Sequence, residues 1–247
     1  MQHIDQRMKA FIAYVSQYDP VFVSEIEAAS PEEIATYEKR ARYPVPEIFR
    51  SYLACMGRRN GKIEFNWDGW YDIRQLISYY DDGISENEDI APDNCIVIGR
   101  GGLSDDVGLL VGGKDEGQVV FINDMTRVAG FCAETFEKLL YKCAFTRYRL
   151  RAFPHHAYYN SSYQSVGGEF IVPQASAEAE QSGFGKQWFS DKILFCGERE
   201  GLAIAFGQKE GDGAFLTVSG NNIQEVEKAG EIFTRKFGIK RQEGSKK

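Results

Sequence analysis

The stretch "IVIGRGGLSDDVGLLV", residues 96–111, decides whether the chain runs from strand to helix or from strand to strand. An apolar run ends in Gly99, and Gly101 and Gly102 follow at once. A helix after these glycines would make a phosphate-binding loop, because a helix N-terminus supplies N–H donors and a favourable dipole. Such a loop reads G-x-G-x-x-G into a helix, or ends in Gly-Lys-Ser/Thr. Here no Lys-Ser/Thr follows. The glycines lead to Asp105 and Asp106, which repel phosphate, and then to the strand-like "VGLLV". The stretch therefore predicts a turn between two strands, without a nucleotide.

Downstream, Gln118–Ile122 is a third apolar run after Cys95–Ile98 and Val107–Val111, and "GGKDEG" between the last two reads as a hairpin turn. Ala133–Ala144 reads as a helix with Phe136, Leu139, Leu140 and Cys143 inward. The segment "RYRLRAFPHHAYYNSSYQSVGG", residues 147–168, lacks clear periodicity and reads as a connector. Beyond it, Glu169–Ala175, Ile193–Cys196, Gly201–Phe206 and Ala214–Val218 read as strands. Asn222 then caps a helix with the stripe Ile223, Val226, Gly230, Phe233 and Phe237, and "RQEGSKK" reads as a frayed tail. At an offset of 95 residues, "LLVGGKDEGQVVFIND" lies over "IAFGQKEGDGAFLTVS", placing Gly112 on Gly207. A degenerate duplication and a shared hairpin grammar both account for this.

Upstream, "GKIEFNWDGWYDI" alternates as a strand and loop would, and residues 73–80 suit a short helix before the acidic "DDGISENED". Three helices precede it. Residues 3–18 carry Met8, Phe11, Ile12 and Val15 at helical spacing. Ser30, Pro31 and Glu33 form an N-cap, a first-turn proline and a capping box, with Ile34, Tyr37 and Ala41 on one face. Val45-Pro46 opens the third, striped by Ile48, Phe49, Tyr52, Leu53 and Met56 and ended by Gly57.

Composition narrows the function. The 247 residues are 43% hydrophobic, enough for one large core or two modest ones. No run of about 18 apolar residues spans a membrane, and the N-terminus does not read as a secretory signal. The five cysteines form no CxxC pair, so reduced thiols in a cytoplasmic protein are expected. The net charge of −7 is concentrated: Glu64–Asp124 holds fourteen acids against three bases. That field repels nucleic acid and steers basic partners, although a solvated face is the plainer reading.

Catalytic signals are weak. His155-His156 would point to opposite faces of an extended segment and could not readily share a metal. No H-E-x-x-H or G-x-S-x-G occurs, and "DDGISENED" lacks the spacing of a calcium loop. Paired acids such as Asp81-Asp82, Asp105-Asp106 and Asp115-Glu116 lie in turn-rich segments. A hydrolase using two carboxylates brought together in space stays open as a lesser alternative. The expectation is a protein without catalysis, metal or cofactor.

Between about residues 25 and 145 the chain resembles the SUKH superfamily, the Smi/Knr family of cell-wall assembly regulators and bacterial toxin-immunity proteins. The resemblance rests on ordered motifs. "SPEEIATYEKRARYPVPEIFRSYL" resembles the opening helices, with Val45-Pro46 where the family has Leu-Pro. "RRNGKI" resembles its Asn-Gly turn, with Lys62 where a second Gly is common. Trp67 and Trp70 stand in its aromatic region. "CIVIGRGGLSDDVGLLV" and "GQVVFIND" resemble its strands, and "VAGFCAETFEKLL" its closing helix, with Thr135 where Ser is usual.

The resemblance implies an α+β fold, with N-terminal helices packed on a mixed or antiparallel sheet closed by a helix. It also implies a non-catalytic protein-binding module. We expect an N-terminal helix over 1–24, this domain over 25–145, and a smaller C-terminal α+β lobe of unassigned function over 165–247. The expected partner is a basic toxin domain, a nuclease or deaminase, met by the acidic middle segment. The residues expected to face it are Trp70, Asp68, Asp72, Asp81, Asp82, Asp105 and Asp106. Tryptophan is enriched at binding hot spots, and one of Trp67 and Trp70 is expected in the core. The alternative is an intracellular regulatory or scaffold protein.

Overall fold

The computed structural model describes residues 5–66, 69–81, 93–102, 105–123, 129–162, 169–209 and 211–242. The chain divides into two compact units, Met1–Cys143 and Ala144–Lys247.

The first unit opens with helices. In α1 (Gln6–Ser16) the Asp5 carboxylate accepts the Arg7 N–H at 2.7 Å, and Met8, Phe11 and Val15 are buried. A short α2 (Phe22–Glu25) runs into β1 (Ile26–Glu27). In α3 (Pro31–Arg40) both halves of the capping box form: Ser30 Oγ accepts the Glu33 N–H at 3.2 Å, and Glu33 accepts the Ser30 N–H at 2.8 Å. This satisfies two donors that a helix start leaves without intrahelical partners. Helix α4 (Glu47–Met56) stops at Gly57, where a Cβ would lie 2.6 Å from the Leu53 carbonyl oxygen and 2.9 Å from the Ala29 Cβ. Only glycine permits that approach.

A two-residue β2 (Arg59–Asn60) pairs with β1, and α5 (Ile73–Asp81) follows. Strands β3 (Cys95–Gly99), β4 (Asp106–Leu110), β5 (Val119–Ile122) and β6 (Ala129–Ala133) form an antiparallel meander in chain order. Helix α6 (Phe136–Ala144) comes next. The core between helices and meander is aromatic. Phe49 and Tyr52 stack, and Phe136 meets both edge-on with ring centroids 5.1 and 5.2 Å away. The buried Tyr37 hydroxyl donates to the Val97 carbonyl at 2.7 Å, tying α3 to β3. The α+β class expected from the sequence is the one observed.

In the second unit a π-type turn (Phe145–Arg149) and a 3-10 turn (Leu150–Ala152) precede β7 (His155–Asn160). Then come α7 (Val172–Gln181), β8 (Gly185–Lys186), β9 (Leu194–Arg199), β10 (Leu202–Gln208), β11 (Ala214–Gly220), α8 (Ile223–Phe237) and β12 (Lys240–Arg241). The six strands are antiparallel in the order β12-β7-β11-β10-β9-β8. Ile204, Phe206, Leu216 and Val218 form a core with Ala175 and Ala179 of α7 and Val226 and Phe233 of α8. Asn222 caps α8 as expected, its side chain accepting the Gln224 N–H at 2.8 Å.

Several expectations are corrected. The supposed connector contains β7, an interior strand between β11 and β12. Its outward Tyr158 and inward Tyr159 are the same residue type, so hydropathy hides the alternation. The supposed strand at Glu169–Ala175 is instead the lead into α7, whose first turn carries Pro173 ahead of an alanine-rich run. The tail begins as β12, and the Gln242 N–H donates to the Tyr158 carbonyl at 2.8 Å. Around "GKIEFNWDGWYDI" the alternation buries Ile63 and Phe65, but among the described residues outside β2 only Trp70 makes a strand-like bridge. Residues 129–133 form β6, where the sequence reading had no strand.

Candidate functional site

The glycine turn is built from both sides of the β3–β4 connection. The β3–β4 register shifts between Val97 and Gly99, a bulge next to the turn. Asp106, first residue of β4, is 4% exposed, and its carboxylate accepts the Gly101 N–H at 2.7 Å. A donor that a phosphate would need is thus engaged by a buried carboxylate, and the chain continues into a strand. The predicted strand–turn–strand geometry holds.

The aromatic loop is fastened to this turn. The Trp70 N–H donates to the Arg100 carbonyl at 2.8 Å, and the Arg100 N–H donates back to the Trp70 carbonyl at 3.0 Å. Asn66 Nδ2 donates to the Asp105 carbonyl at 2.8 Å, and Asn123 Nδ2 donates to the Asp105 carboxylate at 2.9 Å. The Tyr71 ring packs where a Gly99 side chain would stand, 2.8 Å from an ideal Cβ, and its hydroxyl donates to the Asn66 carbonyl at 2.8 Å. Burial pushes the Tyr71 phenol well above its ordinary range, so it stays a neutral donor. On this fixed backbone the Trp70 side chain is 51% exposed. A large apolar surface on a rigid frame loses little entropy when a partner covers it.

The expected site residues divide. Trp70 and Asp105 meet at the turn. Asp106 also lies there, but it is buried and holds the turn closed, so it is corrected from a surface contact to a structural carboxylate. Asp72 and Asp81 stand at opposite ends of α5, about 13 Å apart along its axis. Asp72 accepts the Arg74 N–H at 2.9 Å and pairs with the Arg74 guanidinium. Burial alone would raise the Asp72 carboxyl, but the Arg74 hydrogen bonds outweigh it and hold the group below its ordinary value. Asp81 pairs with Arg40 at 2.8 Å. Asp68, Asp82 and Trp67 lie outside the described residues. The acidic segment is therefore partly neutralised by Arg74 and Arg40, of which Arg40 lies outside the segment that the charge count covered.

Sequence reasoning missed Asn66, Tyr71, Arg100 and Asn123. Arg100 and the aromatic loop join through backbone atoms, which carry no residue-specific signal. Tyr71 could have been found from Gly99, since a glycine ending a buried strand often marks a close approach. Among the described residues no group of three metal-binding side chains is assembled.

These features define an α+β module of helices on an antiparallel meander, with an exposed tryptophan whose backbone pairs with a glycine turn. Residues 28–142 match the SMI1 / KNR4 family (SUKH-1), a match that supports membership of this region in the SUKH superfamily. That membership supports a role of the Smi/Knr or toxin-immunity type. Among curated proteins none matches the chain significantly. No helix among the described residues is long and apolar enough to cross a membrane.

Proposed function

We propose that the chain is a non-catalytic cytoplasmic immunity protein that binds and neutralises a basic toxin domain, a nuclease or deaminase. The observation that carries this reading is Trp70, half exposed while its backbone is held on both sides by Arg100. Asp68, Asp72, Asp81, Asp82 and Asp105 supply the acidic partner-facing set, with Asp68 and Asp82 assigned by sequence alone. The aromatic anchor governs residence time, and the acids govern encounter rate and specificity. Family membership supports the class of role but not the toxin. The intracellular regulatory reading keeps one supporting observation: Asp72 and Asp81 are already paired with arginines, which weakens electrostatic steering.

The test is protection of cells expressing the toxin domain encoded by the neighbouring gene. Wild-type chain should protect and bind. Trp70→Ala should weaken binding by about 2 kcal/mol or more, chiefly through faster dissociation. Joint Asp81→Lys and Asp82→Lys should slow association and flatten its salt dependence. Wild-type affinity in both variants would move the interface elsewhere, and a neighbouring gene without a toxin domain would favour the regulatory reading.

A further inference from the structure

Helices α7 and α8 pack on one face of the six-stranded sheet, and alternate residues of each strand point to the other face. There β7 carries His156 and Tyr158, β11 carries Phe215 and Thr217, and β12 carries Lys240 opposite Asn160. The middle of this face is covered, since Ala203, Ala205 and Ser219 are buried. Two rings are not: Tyr158 is 39% exposed and Phe215 45%. Tyr158 pairs with Thr217 and Phe215 with Asn160, so the two rings are diagonal neighbours on adjacent interior strands. Diagonal neighbours lie about 7–8 Å apart, within reach of aromatic side chains. Phe215 lies over Gly207 of β10, where a Cβ would collide with its ring. Tyr158 stacks on His156, with centroids 6.5 Å apart and planes at 29°. Both rings are thus braced and still exposed, as platforms for a flat ligand are.

The cations of this face are open. Among the described residues Lys240 and Arg151 make no ion pair. Arg151 lies near enough to His156 to help depress its imidazole, after burial. Arg241, next to Lys240, points to the helix side and pairs with Glu227 at 2.7 Å. The nearby acids do not neutralise the two open cations. Glu198, on the same face, is taken by Arg149 at 2.9 Å. Asp212 stands in the β10–β11 hairpin, its N–H donating to the Lys209 carbonyl at 3.0 Å. Residues 144–247 hold fourteen bases against twelve acids, so the acidic field of residues 64–124 is not shared by this unit.

We propose that this open sheet face binds single-stranded nucleic acid, RNA or DNA, with two bases stacked on Phe215 and Tyr158 and the neighbouring phosphates at Lys240 and Arg151. Stacking accepts any base, because every base has a π face, and a duplex hides those faces in its own stack. Aromatic rings on adjacent interior strands, with helices behind the sheet, are a general solution for holding unpaired strands. An acidic peptide would engage the two cations but has no flat groups to lay on the two rings. The site shares no residue with the acidic surface and goes beyond the immunity reading.

The experiment follows the fluorescence anisotropy of a labelled eight-nucleotide strand of mixed sequence, as RNA and as DNA, titrated with the intact chain. Saturable binding that weakens with salt is expected, and a preference between the two strands names the natural ligand. Tyr158→Ala and Phe215→Leu should each weaken binding by about tenfold, the leucine keeping apolar area without a ring to stack on. Joint Lys240→Gln and Arg151→Gln should flatten the slope of log affinity against log salt by about 1.4. The amide spectrum of each variant reports whether it is folded. The proposal is overturned if neither strand gives saturable binding, or if the duplex of the same sequence binds as tightly. It is also overturned if the two ring variants bind as wild type does, or if equimolar capped hexaglutamate displaces the strand.

Discussion

The two units solve the same packing problem with sheets of different regularity. In the first, β4 and β5 pair over four residues, and the register shifts on both flanking ladders, at Val97/Gly99 and Val119/Val120. In the second, β10 and β11 pair over seven residues, and the ladders on either side of them over six, all without a shift. Bulges bend strands and re-aim side chains, and they gather beside functional loops. The exposed Trp70 and the glycine turn lie at the first of these shifts. The irregular sheet therefore belongs to the unit that carries the candidate site. The apparent repeat dissolves under the same comparison. Gly112 sits in a hairpin turn at φ +99°, whereas Gly207 lies inside β10, where a Cβ would meet the Phe215 ring at 2.4 Å. Likewise β6 separates the first hairpin from α6, while β11 leads directly to α8.

The largest effects should come from the two cores. Phe49→Ala removes a ring packed on Tyr52 and Phe136, and Phe206→Ala removes one stacked on Phe233. Each should cost about 3–5 kcal/mol. Hydrogen exchange separates them: Phe49→Ala should lower protection at Ile96–Ile98, and Phe206→Ala at Ala203–Ala205. Equal loss in both sheets from either change would break the division into two units.

The same contrast explains what was legible in the sequence. Helix starts were, because Ser30-Pro31-Glu33 and Asn222 act through short-range bonds that residue type specifies. The turn after Gly99 was, because the acids and the following apolar run excluded a helix. Strand β7 was not, because its place between β11 and β12 is fixed by partners about 60 and 80 residues away in sequence. At the site, the exposed Trp70 was foreseen as a candidate. The burial of Asp106 was not, since a pair of adjacent acids in a turn gives no sign of which one faces inward.

A smaller effect should come from the buried turn aspartates that each unit carries. Asp106 accepts the Gly101 N–H, and Asp191 accepts the N–H groups of Ile193 and Leu194 at 3.1 and 3.2 Å. Removing either carboxylate leaves backbone donors without that partner, at a cost of about 1–3 kcal/mol. In a Trp67→Phe, Trp188→Phe background, where Trp70 is the one tryptophan read, Asp106→Ala should also shift the fluorescence, since the turn it closes holds the Trp70 backbone through Arg100. Asp191→Ala should lower the urea midpoint alone. A shift of equal size from both would remove the special link between turn and tryptophan.

The smallest effect concerns pH, and it separates the units by window. In the first, Glu33 lies below its ordinary value, chiefly through the Arg58 hydrogen bond, and Asp72 through Arg74 against its burial. Depressed carboxyls stabilise fully above their unfolded values, about 3.9–4.3, and that contribution is lost as pH falls through the lower folded values. In the second, His156 is depressed by burial, then by Arg151 and His155, while its Nδ1 lies 3.0 Å from Ser219 Oγ. The unfolded chain therefore takes up a proton first as pH falls through about 6.5, and the second unit loses stability there. Between about pH 7.5 and 5.5, protection factors at Leu216–Val218 should decline while those at Ile96–Ile98 hold. His156→Gln should flatten the decline without altering the first unit. A decline that persists in His156→Gln would assign the titration to another group, and a matching decline at Ile96–Ile98 would remove the distinction between the units in this window.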